Sequence, residues 1–232
     1  MTFWEHLEEL RWMLVRMLAA VVLCLVPSFI FMPWLFDHVV MRAANQGGYE
    51  IINIQVASQF LTHMTLSLYL ALIAVFPYLL YEIWKFIMPA LYPDEKRGFR
   101  KGFLLGGALF YIGCAVGYFV VFPVTFRFLA GYELSPAVQN TINLTSYTGL
   151  FNSIILVFGI CFEMPMLLWV LSLLGLIDRS FLKKYRRHAI VIILILAALI
   201  TPTGDPVTLA VVFAPLYLLY EFSIFLVRPA QA

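Results

Sequence analysis

Six apolar runs take up most of the chain and leave few folds open to it. They cover residues 12–36, 60–88, 102–130, 147–177, 189–200 and 207–227 of 232. A helix needs about 20 apolar residues to cross the roughly 30 Å hydrocarbon core of a bilayer. Hydrophobic residues make up 63% and charged residues 12%, against about 45–50% and about 25% in a soluble domain. The reading is an all-α integral membrane protein, one domain over 1–232. Its spans lie at about 12–36, 60–88, 102–130, 147–177, 189–202 and 207–227. A water-soluble globule, a disordered chain, a coiled coil and a nucleic-acid binder are excluded on the same numbers. The net charge of +2 names no partner.

The basic residues orient the runs. Arg11, Arg16, Lys85, Lys96, Arg97, Arg100, Lys101, Arg179, Lys183, Lys184, Arg186, Arg187 and Arg228 fall on one side, and Arg42 and Arg127 on the other. The positive-inside rule then sets both termini in the cytoplasm, which requires an even number of spans. The fifth run, Ala189–Ile200, would rise only about 18 Å. A span that short thins the bilayer or stops part-way. No repeat relates the two halves, which weighs against a transporter built from inverted repeats.

Catalytic and cofactor signatures are missing from the sequence. Cys24, Cys114 and Cys161 sit in apolar runs without metal spacing and read as small core residues. His6, His38, His63 and His188 have no ligand spacing either. Phosphate-binding loops, serine-hydrolase elbows and metalloprotease motifs do not occur. The expectation is a protein that is not an enzyme, with no cofactor, no metal, no nucleotide and no nucleic acid. The acidic start, with Glu5, Glu8 and Glu9, is unlike a cleavable signal peptide.

Three clusters stand out. Residues 1–11 read as an amphipathic cytoplasmic segment leading into the first span, with Phe3, Leu7 and Leu10 on one face and Glu5, Glu8 and Glu9 on another. The Thr2/Glu5 spacing is a capping box. The acids form either a patch for a basic ligand or a solvated face with Glu8 and Arg11 as an i,i+3 pair. The loop Trp84–Glu95 holds Pro93, Asp94 and Glu95, either a helix start with acids in its first turn or a second carboxylate beside Glu9. Glu163 lies in the middle of the fourth run, where a charge costs about 2.5–3.5 kcal/mol on insertion scales. Such an acid faces the protein interior or a wet cavity, and Pro165 kinks the helix beside it. The pairs Gly102/Gly106 and Gly113/Gly117 point to close packing inside one bundle, or to a dimer face.

These segments carry a resemblance. His6-Leu7-Glu8-Glu9-Leu10-Arg11 resembles the opening H-L-x-E-L-R of the TatC family, the core subunit of the twin-arginine protein translocase. Phe86-Ile87-Met88-Pro89-Ala90-Leu91-Tyr92 with Glu95 resembles that family's first cytoplasmic loop. Phe110-Tyr111-Ile112-Gly113 and Tyr118-Phe119-Val120-Val121-Phe122-Pro123 resemble its third span, Phe162-Glu163-Met164-Pro165 its fourth, and Thr201-Pro202, Asp205 and Ala214-Pro215 its last hairpin. The matches run in order along nearly the whole chain.

The resemblance implies a six-helix, concave, glove-like bundle in the cytoplasmic (inner) membrane. It implies a receptor for folded precursors bearing twin-arginine signal peptides, working with TatB-like and TatA-like single-span partners as a homo- or hetero-oligomer in the lipid bilayer. Export would run on the proton-motive force. By this likeness Glu9 and Glu95 receive the arginine pair, while Arg11, Phe86, Pro89 and Leu91 shape the same site. Glu163, Thr208 and Asp205 are its intramembrane polar residues facing partner helices. Some members carry Gln early in the sixth span, where this chain has Leu209 beside Thr208, and the last hairpin is one residue longer than in some relatives. Physical chemistry supports the site independently, since a guanidinium is a planar fork that pairs bidentately with a carboxylate, and an ammonium is not. The alternative function is a proton-coupled small-solute transporter using Glu163.

Overall fold

The structure is a computed structural model. It describes residues 3–87, 99–133, 135, 140–201 and 204–227. The chain packs as two compact units, residues 1–41 with 55–107, and residues 42–54 with 108–232.

In the first unit α1 (Phe3–Leu35) continues through a π-helical turn, Phe36–Val40, and lies antiparallel to α3 (Ser58–Ile87). Its 33 residues rise about 50 Å, more than the hydrocarbon core requires. The acidic first turns are therefore continuous with the span. Two prolines, Pro27 and Pro33, leave α1 unbroken. Pro33 has no N–H, so the Phe29 carbonyl loses its helical donor. His63 of α3 supplies a replacement, its Nε2 lying 2.9 Å from that oxygen while the imidazole stacks on the Phe29 ring at 3.9 Å. Leu18, Val22, Leu23, Val26 and Ile30 stay exposed along α1, as lipid-facing residues do.

The second unit contains α2 (Arg42–Gly47), the later part of α4 (Phe99–Val116), a π-helical turn Gly117–Val121, α5 (Phe122–Gly131), α6 (Leu144–Cys161), α7 (Met164–Leu173), α8 (Arg179–Lys184), α9 (Arg186–Ile200) and α10 (Pro206–Leu226). The two residues of β1 (Ile51–Ile52) pair in parallel with those of β2 (Ile142–Asn143), just before α6. The pair Gly113/Gly117 packs inside the unit. A Cβ at Gly113 would lie 2.6 Å from the Phe158 carbonyl oxygen, and one at Gly117 3.2 Å from the Ile155 Cα. Gly159 of α6 answers from the other side, against Cys114 and Phe110. Missing side chains thus bring α4 and α6 together. An aromatic cluster fills the core beside them, with Phe122 edge-on to Phe151 at 5.1 Å and Phe126 edge-on to Tyr147 at 4.9 Å.

Among the described residues, five helical stretches are long and apolar enough to cross a membrane: Trp4–Gly47, Ser58–Ile87, Leu104–Gly131, Leu144–Leu173 and Pro206–Leu226. The fifth apolar run forms α9, whose 15 residues fall below that length. The fourth run is broken at Phe162–Glu163, between α6 and α7. Pro165, in the first turn of α7, cannot donate back to the Cys161 carbonyl.

Side chains and glycines set the helix ends. Asn143, Asp178 and Asp205 cap α6, α8 and α10. Gly175 ends α7 with φ +70°, a left-handed conformation that costs glycine little, and Leu176 N–H donates to the Leu171 carbonyl across it at 3.0 Å. The Asp178 carboxylate accepts from the Phe181 N–H at 2.6 Å and the Ser180 hydroxyl at 2.8 Å. Those bonds hold its pKa below the ordinary 3.8. A group whose pKa is lowered on folding contributes stability above its unfolded value and loses it as pH falls through the folded one. Amide protection in α8, read by hydrogen exchange corrected for intrinsic rates, is therefore expected to decline below about pH 4. In Asp178→Asn, which still accepts at the cap, the protection is expected to stay flat.

Candidate binding site at the start of α1 and the end of α3

The antiparallel α1/α3 pair brings the start of one helix to the end of the other. His6 stacks on Phe86 with ring centroids 4.3 Å apart. Glu9, one turn further along α1, is half-buried. Its Oε2 is buried without a hydrogen-bond partner among the described residues. Burying a carboxylate oxygen is costly until a donor meets it.

Two turns below Glu9 on the same helical face, Arg16 reaches Glu82 of α3. Nε and Nη2 approach the same carboxylate oxygen, Oε2, at 3.0 and 2.7 Å. The Tyr78 hydroxyl donates to the other oxygen at 3.0 Å. Glu82 is only 4% exposed, so both its oxygens are satisfied by protein. This pair goes unread in the sequence analysis, although a signal was there. Arg16 is the sole charged residue of the run 12–36, and Glu82 is the sole acid of the run 60–88. An arginine and a glutamate in neighbouring apolar runs call for each other, because a charge alone in an apolar medium is costly.

The sequence carries a second copy of the same device. Tyr78-Leu79-Leu80-Tyr81-Glu82 in α3 recurs as Tyr217-Leu218-Leu219-Tyr220-Glu221 in α10. There the Tyr217 hydroxyl donates to Glu221 at 3.0 Å and Arg186 of α9 pairs with Glu221 at 2.7 Å. Each unit thus has an antiparallel helix pair joined near one end by an Arg–Glu–Tyr triad.

Of the residues read as one site in sequence, the structure brings Glu9 and Phe86 to the same end of the α1/α3 pair. Arg11 makes an exposed i,i+3 pair with Glu8, at 3.5 Å, its guanidinium 5.4 Å from the Trp12 ring. Pro89, Leu91 and Glu95 lie outside the described residues, as does Thr2 of the capping box.

The intramembrane polar residues lie in the second unit. Glu163 sits at the α6/α7 break, its carbonyl accepting from Leu167 N–H at 2.9 Å. Its Oε1 is buried without a partner among the described residues. Asp205 and Thr208 form the start of α10. The Asp205 carboxylate accepts from the N–H groups of Val207 and Thr208, at 3.1 and 2.9 Å, and from the Thr208 hydroxyl. Thr208 is fully buried. Their local work is capping. Among the described residues no cluster of three or more His, Cys, Asp or Glu side chains could hold a metal ion.

Comparison with known proteins agrees along the chain. The sequence model of the family described as Sec-independent protein translocase protein (TatC) matches residues 5–215. The Sec-independent protein translocase protein TatC of Desulforapulum autotrophicum is 39% identical over 96% of this chain and 82% of its own length. That of a Blattabacterium from Periplaneta americana is 35% identical over 97% of this chain and 94% of its own. A crystal structure of the twin-arginine translocase receptor TatC in DDM matches with a TM-score of 0.87 and 32% identity, covering 95% of this chain and 98% of that one. The order of helices, the acids at the start of α1 and in the α6/α7 break, and these relatives lead to one conclusion, that the chain belongs to the TatC family, an integral membrane component of twin-arginine protein translocation.

Proposed function

We propose that this chain is the receptor subunit of a twin-arginine translocase, and that Glu9 is one of the two carboxylates that take the arginine pair. The observation that carries this reading is the buried Oε2 of Glu9, without a partner among the described residues, one turn from the His6–Phe86 stack. An incoming guanidinium offers several N–H donors in a fork that fits such an oxygen, and a charge-assisted bond of this kind contributes about 1.5–3 kcal/mol. Glu95 is the proposed second carboxylate, with Arg11, Phe86, Pro89 and Leu91 around the pair. Glu163 and Asp205 are proposed to meet the helices of TatB-like and TatA-like single-span partners, with the buried Thr208 positioning Asp205 and the proton-motive force driving export.

The proposed topology has six spans in a single domain, both termini in the cytoplasm, and α9 as the short fifth. The excess of basic residues at one set of span ends supports that orientation. Membership of a protein translocase family does not favour the small-solute transporter built on Glu163.

Binding of a twin-arginine signal peptide to the chain in nanodiscs tests the reading, with a Lys-Lys peptide as control. Glu9→Gln is expected to weaken Arg-Arg binding about tenfold or more, and Glu95→Gln by a comparable factor. Equal binding of both peptides, unchanged in the folded double variant, would overturn it.

A further inference from the structure

We propose that the segment Phe181–His188, between α8 and α9, is a binding site for the headgroup of an anionic phospholipid. The segment is held at the boundary where the apolar helices end. The Tyr220 hydroxyl of α10 donates to the Leu182 carbonyl at 2.7 Å, and Leu182 itself is buried. Arg186 joins the first turn of α9 to Glu221, and Arg179 Nε donates to the Ile224 carbonyl at 2.9 Å, near the end of α10. The corner is thus anchored to α10 at three points.

The charges here do not balance. Asp178 is the one acid between residues 174 and 200, and it is spent on the α8 cap. Arg179 is spent on Ile224 and lies 5.4 Å over the Phe225 ring. Arg186 is spent on Glu221. That leaves Lys183, Lys184 and Arg187, all exposed and without an acidic partner among the described residues. Three cations within five positions repel one another, and a phosphate among them relieves that repulsion. Lys184 already leans on the Tyr185 ring, its Nζ 5.8 Å from the centroid, which keeps its charge close to the aromatic surface.

Exposed aromatic rings accompany these cations. Phe181 is 45% exposed and Tyr185 38%, their rings 4.5 Å apart. Further along the two helices from this corner run exposed apolar residues, Val191 and Ile195 of α9 and Leu218 of α10. An occupant must therefore satisfy basic groups at one end and apolar surface at the other. A lipid does both, its phosphate among Lys183, Lys184 and Arg187 and its chains along α9 and α10. Basic clusters flanking apolar helices attract anionic headgroups in this way, and aromatic rings settle at the same depth. A soluble acidic peptide would leave the apolar rings unused.

Native mass spectrometry of the detergent-purified chain, offered equimolar phosphatidylglycerol and phosphatidylcholine, reads the preference directly. The chain is expected to retain phosphatidylglycerol selectively, and the retention to fall as salt rises. Each charge removed in Lys183→Gln, Lys184→Gln and Arg187→Gln is expected to lower retention about fivefold. Selectivity unchanged in the triple variant, with its helical circular dichroism intact, would overturn the proposal. So would complete displacement of the lipid by inorganic phosphate at matched concentration, because the site would then read phosphate alone. If the triple variant fails to fold, the salt and phosphate arms on the unaltered chain still decide.

Discussion

Replacing Arg16 with leucine is expected to cost about 3–5 kcal/mol of stability, the range seen when one partner of a buried ion pair is removed. The reason lies in the asymmetry of the pair. The Arg16 side chain is 38% exposed and Glu82 only 4%. Without Arg16 the buried Glu82 carboxylate keeps one hydrogen bond, from the Tyr78 hydroxyl. Replacing both residues, Arg16→Met with Glu82→Leu, is expected to come out close to neutral, since two apolar side chains fill the site without a charge to desolvate. Tyr78→Phe removes one hydrogen bond to a charged group, an expected loss of about 1.5–3 kcal/mol. Denaturant unfolding in detergent micelles measures all three, and a double-mutant cycle on Arg16 and Glu82 isolates their coupling. A single variant no less stable than the double would show that the pair carries none.

Gly113→Val is the second large expectation, about 3 kcal/mol of destabilisation. Overpacking a filled core costs about 1–3 kcal/mol when side chains can move aside. Here the obstruction includes backbone, since the new Cβ alone would meet the Phe158 carbonyl oxygen at 2.6 Å and the Phe162 Cβ at 2.7 Å. The helices α4 and α6 must separate to admit it. Gly107 is the matched control on the same helix. No atom lies within 4 Å of a Cβ placed there, so Gly107→Ala is expected to change stability by less than about 1 kcal/mol, toward greater helix propensity. The same unfolding measurement compares them. Equal losses at 113 and 107 would remove the case for glycine-mediated contact.

Much of the site was legible residue by residue, and less of it pair by pair. The Glu8–Arg11 pair is readable because i and i+3 are neighbours on any helix, and the structure has it. The break beside Glu163 is readable because a proline removes a donor wherever it sits in a helix. Arg16–Glu82 spans 66 positions, and no local rule joins residues that far apart. The repeated Tyr-Leu-Leu-Tyr-Glu was in plain view, yet a five-residue repeat acquires meaning only once an arginine from another helix is seen on each glutamate. Likewise a proline at 33 removes a donor wherever it sits in a helix, and only the packed structure shows the His63 ring, 34 positions away from Phe29, at the carbonyl left without one.

What the sequence by itself determined was the class of fold and the family: apolar runs of spanning length, a one-sided distribution of basic residues, and five motifs in order. These are properties of short segments in a known solvent, and hydrophobic length is decided locally. What only the tertiary structure decided was which polar groups are satisfied. It gave Glu82 two partners, committed Thr208 to Asp205, set Arg11 in an exposed pair with Glu8 and buried one oxygen of Glu9 without a partner among the described residues. The physical reason is that a hydrogen bond or ion pair needs its atoms within about 3 Å, a distance that helix packing sets and sequence separation does not.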